Sequence, residues 1–490
     1  MPVVRSRPFI VVVACALLAR GAASQPTQRV VIEPAAADRF VEAYRARTGL
    51  PGAAIAITRG GQVVYVAGYG TSSDGSPIGA KTQLPIASLS KSFTSLAVMQ
   101  LVEAGKVVLD EPVRRYLPEF VVADPRGSAI TVRQLLTHRS GMADTEFREK
   151  SVPTPTSLQD GVAMLRTIRL ASDPGVAMHY HNPNYWVAAR LIEVVSGESF
   201  AEYLQRHVFA PAGMRGSTTV ATLDALPAVA RGHIRLFGAS IGLPEPDWYL
   251  QGASGVVTTA EDLAQWLIVQ RNAGVAANGQ RLVSAASVEQ MHAGLGWSLS
   301  PEAIKHAGWL FTFTAHQALL RDSDYGLAVV TNRGLNLGPD DSAEIMAGLM
   351  AMTRGETPSV GAPLGYIVDA AMFVLIVSVC ALTLRAARRS SDWARRWHDR
   401  PTVGARLSIA VWLAPVVVLG GLRSALSYLF NGRDGTWVQI LYLAPSLILA
   451  LAVASVLGFG VTLLRVVQVR RLRHAAPLRV PRRTAPSVAR

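Results

Sequence analysis

Three apolar stretches in the last third of the chain constrain its fold more than any other feature. They cover residues 364–384, 407–430 and 438–464, and each is long enough for a helix to cross the roughly 30 Å hydrocarbon core of a bilayer. Residues 354–363, just before them, are rich in Gly, Pro, Ser and Thr, which is typical of a domain boundary. We therefore predict a linker over 354–363, a three-helix transmembrane region over 364–464 and a basic cytoplasmic tail over 465–490.

The distribution of charge predicts how this region is oriented. From residue 385 to the end the chain has 17 Arg and 3 Asp, so this part carries the whole formal net charge of +14. Seven of these arginines fall in the loop 385–406, whereas the loop 431–437 has only Arg433 and Asp434. The positive-inside rule puts the first loop and the tail in the cytoplasm. Since the charge flanks apolar segments, it favours membrane lipid and not nucleic acid as a partner.

The N-terminus predicts the same orientation independently. Arg5 and Arg7 precede an apolar run over 9–18, and small residues follow at 21–24, which is the pattern of a secretory signal peptide over residues 1–24. A lipoprotein cleavage box ending at Cys15 is the alternative. We expect a multi-pass protein of the bacterial cytoplasmic (inner) membrane, with its globular domain, residues 30–353, periplasmic or extracellular.

The globular domain has mixed helix and strand patterns. A helix is predicted over 35–48, and two strands over 53–58 and 63–68 are joined by a turn at Arg59, Gly60 and Gly61. Thr259 is a predicted N-cap for a helix ending near Asn272. Strand character returns over 295–299, 317–321 and 327–332. These patterns favour an α/β or α+β domain.

Ser88 and Lys91 form a Ser-x-x-Lys pair at the predicted start of an apolar helix. Residues three apart lie on one helix face, so the lysine would sit beside the hydroxyl and could activate it as a nucleophile. The helix N-terminus would also offer free backbone N–H groups to an oxyanion. An ordinary capped helix explains the same spacing, so further partners must decide.

Two later motifs supply such partners. Tyr180 and Asn182 form a Tyr-x-Asn pair, in which a phenol near the lysine would favour its phenolate and exchange a proton with Ser88. The Asn182 amide could orient Lys91 and bind a substrate carbonyl. His306, Ala307 and Gly308 precede a predicted strand, where the small residues would let a substrate lie along the strand edge.

These motifs resemble, in order, those of the serine hydrolases related to class C β-lactamases, D,D-peptidases and esterases. The resemblance covers about residues 35–350 and includes the segments 135–141 and 255–263. It implies an antiparallel sheet flanked by helices, with a helical subdomain. It implies that Ser88 is the nucleophile, that Lys91 and Tyr180 share acid/base work, and that Asn182, His306 and Gly308 bind substrate. The N–H groups of Ser88 and Trp309 would form the oxyanion hole.

The resemblance leaves the substrate open. D-amino-acid peptides, β-lactams and carboxylic esters all remain, and the bulky residues Trp309, Leu310 and Phe311 put β-lactam turnover in doubt. A non-catalytic sensor that binds a peptidoglycan-like or β-lactam ligand and signals through the three helices is the alternative function. A transporter is disfavoured by the small number of spans. Oligomeric state cannot be read from the sequence.

No cofactor or metal is expected. His179 and His181 would share one face of a strand, but zinc needs a further ligand and none is evident. His138 lies in the 135–141 segment and is interpreted as a scaffold residue, not a catalyst. Within the apolar spans, Asp369 and Arg423 lie at matching depths, and we consider either an ion pair between them or separate contact with the outer headgroups.

Overall fold

A computed structural model describes residues 31–222, 231–335, 340–361, 364–397, 403–429, 432–433 and 435–475. The signal peptide predicted over 1–24, with Cys15, lies outside these residues. So do parts of the predicted linker, the 385–406 loop and the basic tail.

The described strands form one large antiparallel sheet and two small ones. The six-stranded sheet has the order β2-β1-β11-β10-β9-β8, a three-stranded sheet has the order β3-β7-β4, and β5 pairs with β6. The strands are β1 Gly52–Arg59, β2 Gln62–Gly70, β3 Leu84–Pro85, β4 Thr218–Thr219, β5 Gly232–Leu236, β6 Ala239–Leu243, β7 Val256–Thr258, β8 Ser298–Leu299, β9 Ala303–Trp309, β10 Thr314–Leu320 and β11 Tyr325–Thr331.

Helices cover both faces of the large sheet and continue into the C-terminal region. They are α1 Pro34–Thr48, α2 Ser90–Glu103, α3 Val132–Leu136, α4 Leu158–Met164, α5 Pro183–Ser196, α6 Phe200–Leu204, α7 Ala210–Ala212, α8 Ala260–Arg271, α9 Ala285–His292, α10 Asp341–Thr353, α11 Leu364–Arg388, α12 Ser390–Trp397, α13 Val403–Leu429, α14 Trp437–Leu443 and α15 Pro445–Ala475. The predicted α+β class, with an antiparallel sheet between helices, is confirmed.

The side-chain alternation of β1 divides the core in two. Ala54 and Ala56 belong to the larger cluster, which contains α2 and the helical subdomain. Ile55 and Ile57 point to the opposite face and pack with α1 and α10. Successive strand residues face opposite sides of a sheet, so one short strand anchors both layers and fixes α2 against the sheet.

Several predicted elements occur where expected, with two differences near the motifs. The hairpin turn at Gly60 and the Thr259 cap are present. Ser88, however, lies in a 3-10 turn, Ala87–Leu89, and α2 begins only at Ser90. His306 lies inside β9 instead of preceding a strand, because the adjacent polar residues Lys305 and His306 interrupt the alternation by which a strand is recognised.

Three described helices are long and apolar enough to cross a membrane. They are α11, α13 and α15, with mean hydropathies of 2.5, 1.9 and 2.5. The third predicted span begins later than expected, since Pro445 starts α15 and the preceding residues form the separate helix α14. Proline is favoured in the first turn of a helix, where its missing N–H costs nothing.

The suggested pairing of Asp369 with Arg423 is wrong. Asp369 instead accepts hydrogen bonds from Arg235 Nε at 3.1 Å, from the Gly238 N–H at 2.9 Å and from Ser446 Oγ at 2.6 Å. The Arg423 guanidinium donates to Ser151 Oγ at 3.0 Å. Both charges therefore join the apolar helices to the globular domain, because that domain lies against their ends and offers polar partners.

Candidate active site

The turn that carries Ser88 is tightly fixed. Ala87 has a φ of 50°, a conformation that residues other than glycine adopt at an energetic cost. Ser90 holds the turn in place, because its hydroxyl donates to the Ala87 carbonyl at 2.6 Å and accepts the Val256 N–H of β7 at 2.9 Å. The Ser88 side chain is thus presented at the junction of α2 with the large and small sheets, and it is 9% exposed.

Lys91 lies one turn further along, fully buried, and its Nζ has three oxygen neighbours. These are Ser88 Oγ at 3.1 Å, Asn182 Oδ1 at 2.9 Å and the Ala253 carbonyl at 3.0 Å. Burial and the nearby Arg433 lower the pKa of Lys91 well below its usual value, while Glu149 opposes this. A neutral amine would donate its two hydrogens to the Asn182 and Ala253 oxygens, which can only accept. Its lone pair would then face the Ser88 hydroxyl.

Asn182 precedes α5, and its amide is held at both ends. Oδ1 accepts from Lys91, and Nδ2 donates to Glu149 Oε1 at 2.6 Å. The expected role in orienting Lys91 fits this geometry. The expected grip on a substrate carbonyl has to compete with Glu149, a buried residue that the sequence reading overlooked.

Tyr180 completes the cluster. Its ring lies 4.9 Å from Lys91 Nζ and packs on the His138 ring at a centroid distance of 4.3 Å. Burial raises the pKa of the phenol, although Arg433 and a hydrogen bond with Ser88 act in the opposite direction. The expectation of a favoured phenolate is therefore not met. Burial penalises the charged form of both groups, which favours a neutral phenol beside a neutral lysine.

Gly308 brings β9 against the Ser88 turn. A Cβ at this position would lie 2.5 Å from the Ile86 carbonyl oxygen and 3.1 Å from the Ala87 Cβ. The glycine therefore makes room for the turn of the protein itself, whereas the sequence suggested room for a substrate.

The backbone N–H of Trp309 points away from the neighbouring strand β10. The Leu310 N–H donates to the Phe313 carbonyl at 2.9 Å, so the alternation of an antiparallel ladder directs the Trp309 N–H away from β10. On that side β8 pairs only with Ile304 and Lys305. The indole is half exposed and donates to Asp340 Oδ2 at 2.6 Å.

His306 lies on β9 two residues before Gly308. Its Nδ1 lies 2.6 Å from the Ala307 carbonyl oxygen, so that nitrogen carries the hydrogen in the neutral ring. Burial lowers the pKa of His306 to about 4. The third motif therefore offers an uncharged imidazole near the site, whereas a lysine at this position would add a positive charge.

The three histidines next to the second motif have separate partners. His138 Nδ1 accepts the backbone N–H of His181 at 3.1 Å, which fits the predicted scaffold role. His181 Nδ1 lies 2.8 Å from Asp144 Oδ1, and His179 Nε2 lies 3.1 Å from Ser172 Oγ. His179 and His181 lie in a loop and not on the strand that we expected.

Further charged residues surround the site that no motif revealed. Arg433, from the loop after α13, has its guanidinium carbon 5.0 Å from the Tyr180 ring centre and its Nε 3.3 Å from Asp144 Oδ2. Lys150 Nζ lies 5.3 Å from the Trp248 ring centre, and burial lowers its pKa to about 8. Each is a single charged residue far from the motifs in sequence, so no local pattern could identify it.

Comparison with known proteins gives a consistent result. The family model described as Beta-lactamase matches residues 37–349. Penicillin-binding protein 4 of Amycolatopsis lactamdurans is 29% identical over 280 residues, which are 56% of this chain and 72% of that protein. Protein flp of Staphylococcus aureus strain MW2 is 26% identical over 60% of this chain and 62% of its own length. In strain COL the match is 25% identical and reaches 82% of this chain and 85% of that protein, beyond the family segment.

Solved structures agree with this. The octameric penicillin-binding protein homologue from Pyrococcus abyssi is 25% identical with a TM-score of 0.58, over 67% of this chain and 78% of that one. A D-stereospecific amidohydrolase from Streptomyces shares the fold at 23% identity, with a TM-score of 0.51, over 61% of this chain and 94% of that one. With the family match spanning well over half of its length, this chain belongs to the Beta-lactamase family, as its three motifs predict, and it adds a C-terminal region of apolar helices.

Proposed function

We propose that this protein is a membrane-anchored serine hydrolase that works through an acyl-enzyme on Ser88. The family supports hydrolase chemistry in general. The observation that carries the specific proposal is the coordination of Lys91 Nζ by Ser88 Oγ, Asn182 Oδ1 and the Ala253 carbonyl. The Asn182 and Ala253 oxygens accept the two hydrogens of a neutral Lys91 amine. The lone pair of the amine then points at the Ser88 hydroxyl, the proposed nucleophile.

In the proposed acylation, neutral Lys91 takes the Ser88 proton while Oγ attacks the carbonyl carbon of an amide or ester. The N–H groups of Ser88 and Trp309 hold the oxygen that becomes negative. The C–N or C–O bond then breaks, and the leaving group receives the proton through the Tyr180 phenol. Water attacks the acyl-enzyme by the reverse proton route, releasing the acid and restoring Ser88.

We assign residues 30–353 to the catalytic domain and residues 364–464 to the membrane region, with the domain outside and the tail in the cytoplasm. Support comes from the contacts between the two parts. They lie near the start of α11, the end of α13 and the start of α15, where Asp369 meets Arg235, Arg423 meets Ser151, and Ser446 accepts the Phe237 N–H. All three are helix ends opposite to the arginine-rich loop.

The test is covalent labelling of membranes with a fluorophosphonate and, separately, with a fluorescent penicillin. We expect labelling of the wild type and none of Ser88→Ala. Ser92→Ala is the matched control, because Ser92 lies four residues further along, in α2, and its hydroxyl donates to the Leu89 carbonyl and accepts from Gln317. Labelling of Ser88→Ala at the wild-type level would refute the assignment. A panel of D-amino-acid peptides, β-lactams and esters then identifies the acyl group.

The sensor alternative has one specific observation in its favour, the contact of a membrane-region residue, Arg433, with Tyr180. A sensor of this design would be labelled on Ser88 by penicillin and would not release the product. Turnover of any substrate in the panel by the wild type, abolished in Ser88→Ala, would exclude it.

A further inference from the structure

The loop between α13 and α14 reaches the catalytic cluster. Its described residues lie against the segment 144–149 of the globular domain: a Cβ on Gly432 would meet the Thr145 side chain at 2.5 Å. The next residue, Arg433, extends over Tyr180, with Nε 3.3 Å from Asp144 Oδ2 and Nη2 4.0 Å from Glu149 Oε1. The Arg433 side chain is 29% exposed, whereas Asp144 and Glu149 are almost completely buried.

This position places Arg433 close to Lys91 and Tyr180, the two groups that transfer protons in the proposed mechanism. Tyr180 has Lys91 Nζ 4.9 Å from its ring centre and the Arg433 guanidinium carbon 5.0 Å from it. Glu149 links Lys91 and Arg433 indirectly, since it accepts from the Asn182 amide that orients Lys91 and lies 4.0 Å from Arg433 Nη2. A cation at this point repels a proton on Lys91 and balances two buried carboxylates that would otherwise be costly.

We infer that Arg433 is a positioning residue of the active site, so that the membrane region supplies part of the catalytic machinery and is more than an anchor. This inference rests on the proposed hydrolase function. The guanidinium holds Asp144 and Glu149 in place beneath Tyr180, and its charge helps to keep Lys91 neutral. Removal of the charge therefore raises the pKa of Lys91 and shifts the rising limb of the acylation rate to higher pH.

Other charged and titratable groups face the same cluster, and they are the same residues in the wild type and in the Arg433 variants described below. They are Glu149 and Lys150 from the turn before α4, Asp144 and His138 from the segment after α3, Tyr180, His181 and Tyr185 around the start of α5, and His306 on β9. All of these groups belong to the globular domain, whereas Arg433 comes from the loop between α13 and α14.

The first experiment measures the pH dependence of fluorophosphonate labelling of the full-length protein in membranes. In Arg433→Gln the rising limb should move up by about 0.5–1 pH unit. Arg433→Lys, which keeps the charge, should stay close to the wild type. Tyr442→Phe is the control for a contact without charge, because it removes only the hydrogen bond to the Pro244 carbonyl at 2.9 Å. The pH at which the labelling rate rises does not depend on the amount of folded enzyme. The test therefore stays valid if a variant is partly lost.

The second experiment tests the loop position without using activity. A Cβ on Gly432 would lie 3.7 Å from the Thr145 Cβ, which is within the range of natural disulfides. With Cys15 and Cys380 replaced by Ser, the pair Gly432→Cys and Thr145→Cys should form a disulfide, and each single variant should not. The single Gly432→Cys also controls for strain, since Gly432 has a φ of 87°.

The outcomes separate the two proposals. An unshifted limb in Arg433→Gln, or an equal shift in Arg433→Lys, would overturn the role of Arg433 while leaving the hydrolase function intact. Failure of the cysteine pair to cross-link in a protein that still labels would overturn the loop position. A formed disulfide in a protein that never labels would support the loop position but refute the hydrolase function, and with it the role of Arg433.

Discussion

The Asn182 amide nitrogen lies 2.6 Å from Glu149 Oε1, and this contact determines which end of the amide meets Lys91. With Nδ2 turned to the carboxylate, Oδ1 must face the lysine, where it accepts at 2.9 Å. The Glu149 carboxylate also raises the pKa of Lys91, against the larger effect of burial.

Glu149→Gln should therefore shift the rising limb of the acylation rate to lower pH. Loss of the negative charge lowers the pKa of Lys91, so the neutral amine is present at a lower pH; we expect a shift of about 0.5–1 pH unit. Glu149→Ala should in addition lower the maximal rate by about tenfold, because the Asn182 amide can then rotate. Labelling rates measured from pH 5 to 10 test both, and an upward shift in Glu149→Gln would contradict the electrostatic argument.

Tyr180→Phe should fold normally and acylate roughly 10²–10⁴ times more slowly, as expected when a group that transfers a proton is removed. The ring that packs on His138 remains. Tyr185→Phe is the matched control: its ring also lies near Lys91, at 5.4 Å, but its hydroxyl donates to the Leu136 carbonyl. That variant should keep its rate and lose about 1 kcal/mol of stability. A rate within a few-fold of wild type in Tyr180→Phe would leave the proton transfer to Lys91 alone.

Gly308→Ala should strongly reduce labelling, because the new Cβ would lie 2.5 Å from the Ile86 carbonyl oxygen and push β9 away from the Ser88 turn. Overpacking of this kind costs about 1–3 kcal/mol. Gly61→Ala serves as the control, since a Cβ there has no neighbour within 4 Å. Thermal unfolding and labelling are measured together, and wild-type behaviour of Gly308→Ala would show that strand and turn are not held this closely.

A tag placed after Arg490 should be protected from a protease added outside the membrane, while the domain that contains Ser88 should be digested. The reason is the arginine content of the loop 385–406 and of the tail, which the positive-inside rule retains in the cytoplasm. Digestion of spheroplasts, with and without detergent, gives the answer. If the tag were lost from intact spheroplasts, the number of spans would be even and the role of α15 would need revision.

Arg235 and Asp369 should be energetically coupled, because the carboxylate of α11 is buried against β5 of the globular domain. Arg235→Gln and Asp369→Asn should each destabilise the protein in detergent micelles by about 3 kcal/mol. The double variant should cost less than their sum, by about 1–3 kcal/mol. As a control, Arg423→Gln combined with Asp369→Asn should be additive, and additivity in the first pair would show that this ion pair contributes nothing.

The sequence alone determined the features that depend on local patterns. The three motifs around Ser88, Tyr180 and Gly308 identified the family, because Ser-x-x-Lys, Tyr-x-Asn and His-x-Gly occur along the chain in the order of the family. The apolar spans were visible for a similar reason, since the thickness of a bilayer sets their length. Helix caps such as Thr259 were readable because a capping side chain acts within three residues.

Tertiary structure decided the features that arise from contacts between distant parts of the chain. Whether Lys91 or Tyr180 is favoured in its neutral form depends on burial, which only the packed domain creates. Glu149 and Arg433 belong to no sequence motif. Glu149 joins the site through its contact with Asn182 before α5, and Arg433 joins it because the loop after α13 packs over Tyr180. Asp369 was recognised as an anomaly in an apolar span, but its partner came from β5, 134 residues earlier. A buried charge requires a partner, and the fold chooses which one.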